Sequence, residues 1–234
     1  MSKRFYAIQQ LERHADLYIF GDIVPYEYFP GDVSAAGIVE ELKGLDVDVI
    51  DVHINSYGGS VAEGWGIYTA LVNHPAKVVT HGEGFVASAA LYPFLAGDER
   101  YANTLSAYYF HQVMTGADGY AKDLRAAADE AEILTEIGIQ AFVERAGMDA
   151  DTVRQLMENE TWVTPEQALD YGLATGLEQD AGPAFAQSVR KGMIQMLTLS
   201  AAIPEPKPEP KPEPEPEPEP QKPGIMQLFQ NLKI

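Results

Sequence analysis

Three short stretches of this chain hold the residue types that nucleophilic catalysis needs. Ser88 lies in GEGFVASAALYPFLAG, among Gly82, Gly84, Ala87, Ala89 and Ala90. A hydroxyl at the start of a helix gains from the helix's positive end and its free amides, and small neighbours let a substrate backbone approach. His111 lies in SAYYFHQVMTG, just past a strand-like run, where an imidazole can reach a hydroxyl as general base. Residues 55–61, NSYGGSV, join a strand to a helix, and paired glycines at such a junction expose backbone N–H groups to a substrate or an anion. Each stretch also has an ordinary reading: a serine among alanines in a packed helix, a structural histidine after an apolar strand, a plain tight turn. His53, inside an alternating strand, and His81, before a glycine turn, are lone histidines and are assigned no role. No Gly-Lys-Ser/Thr follows the glycine pair, so it is not a P-loop, and no dinucleotide fingerprint is present.

The elements that must position these residues follow from hydropathy periods. Residues 17–20 (LYIF), 47–54 (VDVIDVHI), 76–80 and 106–110 read as strands. Residues 34–42, with Ser34 as N-cap, and 60–73 read as helices, as does the small, apolar stretch 86–96 after a turn at Gly82-Glu83-Gly84. A long helix over 123–146 carries an apolar stripe of Leu124, Ala127, Ala128, Ala131, Leu134, Ile137 and Phe142, and a short one over 165–171 starts at Thr164 and stops at Gly172. Strand–turn–helix units in series predict an α/β layered fold with crossovers.

Residues 203–223 differ in kind. Their alternation of Pro with Glu and Lys predicts a disordered, semi-rigid polyproline II spacer that follows one globular domain over 1–202. Residues 224–234 (GIMQLFQNLKI) turn apolar again, with Ile225, Leu228, Phe229 and Leu232 on one face of a short helix.

Composition removes whole classes of chemistry. The formal net charge is −19, and the six Glu and four Lys from Pro204 onward supply little of it. So acidic a domain repels nucleic acid and anionic membrane surfaces. There is no Cys, hence no disulfide, thiolate nucleophile or Cys-ligated metal. The first ten residues lack a signal-type apolar core, and no segment approaches membrane-spanning length, which predicts a soluble, cytoplasmic protein.

The order of the motifs is more specific than any one of them. NSYGGSV, GEGFVASAA, YYFHQ and ETWVTPEQALDYGLATG, taken in sequence over about Leu17 to Leu177, resemble the Clp peptidase family, ClpP. The resemblance implies a ClpP/crotonase-like layered fold and a serine endopeptidase without metal or organic cofactor. It makes Ser88 the nucleophile, His111 the base, and Gly59 with the amide of Ala89 the oxyanion hole. Counting back from Tyr171-Gly172-Leu173, Glu160 falls where the family has its Asp, so Glu160 becomes the third triad member. A homo-oligomeric ring, single or in two stacked layers, is implied as well, built through the helix that follows the histidine strand.

Four positions depart from the family pattern: Glu160 for Asp, Tyr57 for Pro, Ala89 for Met and Val113 for Pro. With the acidic Pro-rich end, they are most similar to the ClpP-related head maturation proteases of phages and prophages, which act on capsid or scaffold proteins. A general Clp peptidase working with an ATPase unfoldase is the neighbouring expectation. A crotonase-type CoA hydratase or isomerase shares the fold but needs a CoA site, for which no adenine or phosphate-binding segment stands out. A non-catalytic shell component would have no reason to keep Ser, His and a carboxylate in order.

Overall fold

The computed structural model describes residues 8–11, 13–29 and 31–178, all within the compact unit Met1–Ser188. The expected spacer over 203–223 and the apolar segment 224–234 lie outside the described residues.

Period-two alternation builds the centre of the molecule. Strands β2 (His14–Ile19), β3 (Val49–Ser56) and β4 (Lys77–Ala87) pair in parallel. Leu17, Ile19, Ile50, Val52 and Ile54 all turn to one side and are fully buried there. β1 (Ile8–Leu11) closes one edge antiparallel to β2, while β5 (Glu99–Ala102) and β8 (Gly176–Leu177) extend the other, giving the order β1-β2-β3-β4-β5-β8. The β2–β3 and β3–β4 crossovers are helices, α1 (Ala35–Leu42) and α2 (Val61–Val72). Ser34 and Ser60 cap them, each side chain accepting from the backbone N–H three residues on. Ile38, Leu42, Ile67 and Leu71 join the apolar sheet face and α3 (Leu91–Leu95) in one core. Each fully buried Leu or Ile there contributes about 1.5–3 kcal/mol of transfer free energy. The α/β layering expected from the sequence is the observed one.

The expectation for residues 82–96 needs correcting. Gly82-Glu83-Gly84 is no turn, and the helix does not start at Val86: β4 runs through both to Ala87. Register shows why, since Ile54 pairs with Gly82 but Ser56 with Val86, a bulge of two extra residues. The Asn55 side chain fills it, with Oδ1 accepting from Phe85 N at 3.0 Å. Gly84, at φ 120°, would place a Cβ 2.6 Å from that oxygen. The glycines mark a bulge, the other use a strand makes of them.

The bulge lets β4 serve two partners. Its first half pairs with β5 and its second with β6 (Ala107–Tyr109), which pairs in turn with β7 (Trp162–Val163). α4 (Ala121–Ala146) ends at Gly147 in the left-handed region; α5 (Ala150–Glu158), capped by Asp149, precedes β7, and α6 (Pro165–Asp170), in a capping box from Thr164, follows it. Arg100 fastens the end of α6 to the sheet, donating to the carbonyls of Leu173, Gly97 and Gly172 at 2.7, 2.9 and 3.2 Å.

The alternate side chains of the central strands are polar. Tyr18, His53, His81 and Tyr101 form a ladder of near-parallel rings across β2–β5, with centroids 4.6, 5.1 and 5.8 Å apart. His53 shares a 2.8 Å hydrogen bond with Glu83, and His81 one of 2.8 Å with Asp51. Burial opposes the His53 cation, but hydrogen bonds and charge from Asp16 and Glu83 outweigh it and push the group up to about 9. Burial wins at His81 and holds it below the usual histidine range, against Asp51. Burial and the neighbouring Glu83 push Glu178 up to about 7.

Candidate active site

Ser88 stands where β4 ends, at the first residue of a short 3-10 turn, Ser88–Ala90, that runs into α3. Its φ is 56°, a region that costs a non-glycine residue about 1–3 kcal/mol. A helical turn begins at this residue, and the first N–H groups of such a turn have no acceptor within it. The only other non-glycine residue at positive φ among the described residues is Glu160, at 48°. The two strained positions thus coincide with two members of the expected triad.

His111 follows β6 and meets Ser88 directly, with Nε2 2.7 Å from Oγ. Its Nδ1 is 2.6 Å from the Gln112 carbonyl. A carbonyl can only accept, so Nδ1 carries the proton and Nε2 is the free base that accepts from the Ser88 hydroxyl. The segment beyond is tied to α4, with Val113 N donating to Thr135 Oγ1 at 3.0 Å.

The glycine pair lies against this turn. A Cβ on Gly58 would meet Ala87 O at 2.5 Å and both Ala89 N and Ser88 Cβ at 2.8 Å, so no larger residue allows the approach. Gly59 forms a parallel bridge with Ile23 through its neighbours: Ile23 N donates to Gly58 O and Ser60 N to Ile23 O, both at 2.8 Å. That pattern leaves the N–H of the exposed Gly59 turned away from Ile23. Gly58→Ala is expected to lower kcat/KM by at least roughly a hundredfold, the cost of misplacing reacting groups by about 1 Å. Hydrolysis of a fluorogenic peptide, read beside a thermal melt, checks this; wild-type kinetics would remove the glycine turn from the site.

Glu160 is exposed and makes no hydrogen bond to His111 among the described residues. It lies two residues before β7, which pairs with the strand that leads to His111. Tyr108 pairs with Val163 and Tyr109 with Trp162, and Phe110 N donates to Thr161 O at 3.0 Å. The sequence reading missed the aromatic wall beside His111. Trp162 stacks on Tyr109 at 4.6 Å, and Phe85 bridges Trp162 to Tyr57 at 5.5 and 4.9 Å. Tyr57, Tyr109 and Trp162 line, with Ser88 and His111, a cleft of about 600 Å³.

A family model described as Clp protease matches residues 31–180. The chain belongs to the Clp protease family. It is thereby a serine-type endopeptidase of the kind that forms a Clp proteolytic subunit. Among similar Clp sequences, the ATP-dependent Clp protease proteolytic subunit 1 of Prochlorococcus marinus is 32% identical over 146 residues, covering 60% of this chain and 75% of its own. The corresponding subunit of Ligilactobacillus salivarius is 32% identical over 152 residues, covering 62% and 77%. A solved structure of a ClpP1 mutant from Listeria monocytogenes superposes with a TM-score of 0.60 at 23% identity, over 69% of this chain and 90% of that one, and shares the fold.

Proposed function

We propose that Ser88, His111 and Glu160 act as the catalytic unit of this peptidase, with the amides of Gly59 and Ala89 as its oxyanion hole. Ser88 Oγ attacks the scissile carbonyl while His111 Nε2 takes its proton. The two amides receive the charge that develops on the carbonyl oxygen, and His111 returns the proton to the leaving amine. Water then hydrolyses the acyl-enzyme by the same proton path. The observation that carries this reading is the 2.7 Å contact between His111 Nε2 and Ser88 Oγ. The test is a fluorophosphonate probe followed by peptide mapping: the label belongs on Ser88, and a label elsewhere, or none on active protein, refutes the assignment.

The substrate on this reading is a polypeptide, namely a capsid or scaffold protein cleaved during phage head maturation. Tyr57, Ala89 and Val113 and the Pro-rich end support that narrower role. The second reading, a general subunit fed by a Clp ATPase, is favoured by the names of the relatives. Degradation of a folded protein with and without a Clp ATPase and ATP separates the two.

Assembly is proposed to run through α4. Leu124, Ile133 and Ile137 on this helix are 46%, 61% and 51% exposed, and burying them against a second copy would stabilise a closed ring. Light scattering is expected to give a multiple of the 25.6 kDa chain mass, and Ile133→Glu to shift it downward. A monomer under active conditions would exclude the ring.

A further inference from the structure

The polar side of the sheet gathers ligand-type side chains that peptide hydrolysis does not use, and none of those discussed here lines the Ser88 cleft. Asp16 on β2 pairs directly with Asp51 on β3, and His14, two residues before Asp16, shares their face. His14 Nε2 is 2.5 Å from Asp51 Oδ2 and 3.8 Å from Asp16 Oδ1. One ligand atom from each of the three lies within 4.8 Å of the others. Ligands held at about 2.0–2.2 Å around a tetrahedral ion stand roughly 3.3–3.6 Å apart, so His14 Nε2 and Asp51 Oδ2 would part by about 1 Å to admit one.

Like charges directly across a strand pair repel, and a divalent cation between them would turn that cost into shared coordination. Asp51 is held through its second oxygen, and Asp16 through the proposed ligand atom Oδ1 itself. Asp51 Oδ1 is 2.8 Å from His81 Nε2; Asp16 Oδ1 is 3.4 Å from His53 Nε2, whose Nδ1 continues to Glu83 Oε1 at 2.8 Å. Outer partners of this kind fix the orientation of metal-binding groups. The Asp16 and Asp51 side chains are 6% and 16% exposed and that of His14 43%, so the carboxylates are sheltered while the imidazole stands at the solvent edge as an entry path. Mixed imidazole and carboxylate donors, in a chain without Cys, suit a borderline ion better than a thiolate-seeking or an all-oxygen one.

We propose that His14 Nε2, Asp16 Oδ1 and Asp51 Oδ2 bind a divalent transition-metal ion of the zinc class, which clamps β2 to β3. The test is calorimetric titration of the chelator-treated, full-length protein with zinc chloride. The expected result is saturable binding of one ion per chain. His14→Ala and Asp51→Asn should each weaken it more than about a hundredfold, since even outer-shell changes cost roughly 10–100-fold, while His111→Ala leaves it unchanged. Circular dichroism shows whether each variant is folded, and the half-exposed His14 supplies the decisive variant if Asp51→Asn is not. Absence of saturable binding, binding that survives His14→Ala, or binding that is lost with His111→Ala would overturn the proposal.

Discussion

Ser88→Ala is expected to abolish fluorophosphonate labelling and to lower kcat on the order of a million-fold, the scale on which a serine–histidine unit fails. The fold should survive, because the change removes one oxygen at a half-exposed position among alanines. His111→Ala should cost about as much, since Nε2 is the group that accepts the Ser88 proton at 2.7 Å. The double variant should then be no worse than either single one, because neither residue does its work without the other. A residual rate of roughly 10³–10⁴ over water is expected from the oxyanion amides together with substrate binding. The measurement is peptide hydrolysis by all three purified variants. A double variant far slower than both singles would mean that Ser88 and His111 act separately and would end the catalytic-pair assignment.

Glu160→Gln is expected to lower kcat on the order of a hundredfold or more, less than loss of either partner. Triad carboxylates elsewhere are worth up to about 10⁴, in large part because they hold the imidazole in the right tautomer. Here the Gln112 carbonyl already accepts from Nδ1 at 2.6 Å, so the tautomer outlives the loss of Glu160. What a carbonyl lacks is the charge that stabilises the imidazolium formed as Ser88 attacks. Backbone strain supplies a control. Glu160 sits at φ 48°, which glycine adopts without cost, so Glu160→Gly would be neutral or stabilising if the residue served only the turn. The catalytic reading requires Glu160→Gly to lose activity even as its melting temperature holds or rises. Unchanged rates in both variants would move the third role elsewhere, with Glu158 and Asn159 as the next candidates.

Local signals and the order of the motifs make the layered fold legible, and the motifs single out Ser88 and His111, which the fold brings to 2.7 Å from each other. Ser34 and Thr164 announced helix starts by local cap chemistry, and VDVIDVHI announced a half-buried strand by its period, both signals that lie within a few residues. Asp149 with Val153, Leu156 and Met157 carries an equally local signal for α5. Other features depend on pairings between distant segments. Glycines at 82 and 84 read as a turn, and only the β3–β4 register shows that Asn55 fills a bulge there. Glu160 can be counted back from Tyr171, but that the Gln112 carbonyl meets His111 Nδ1 is decided by the fold. His53 and His81 looked like isolated histidines because their partners, Asp16, Glu83 and Asp51, are about thirty or more residues away in the chain. Strand alternation chooses the face on which a side chain stands, but only the order and register of the strands choose its neighbours. Tertiary structure alone therefore decided that these histidines and carboxylates would meet on the sheet's polar side.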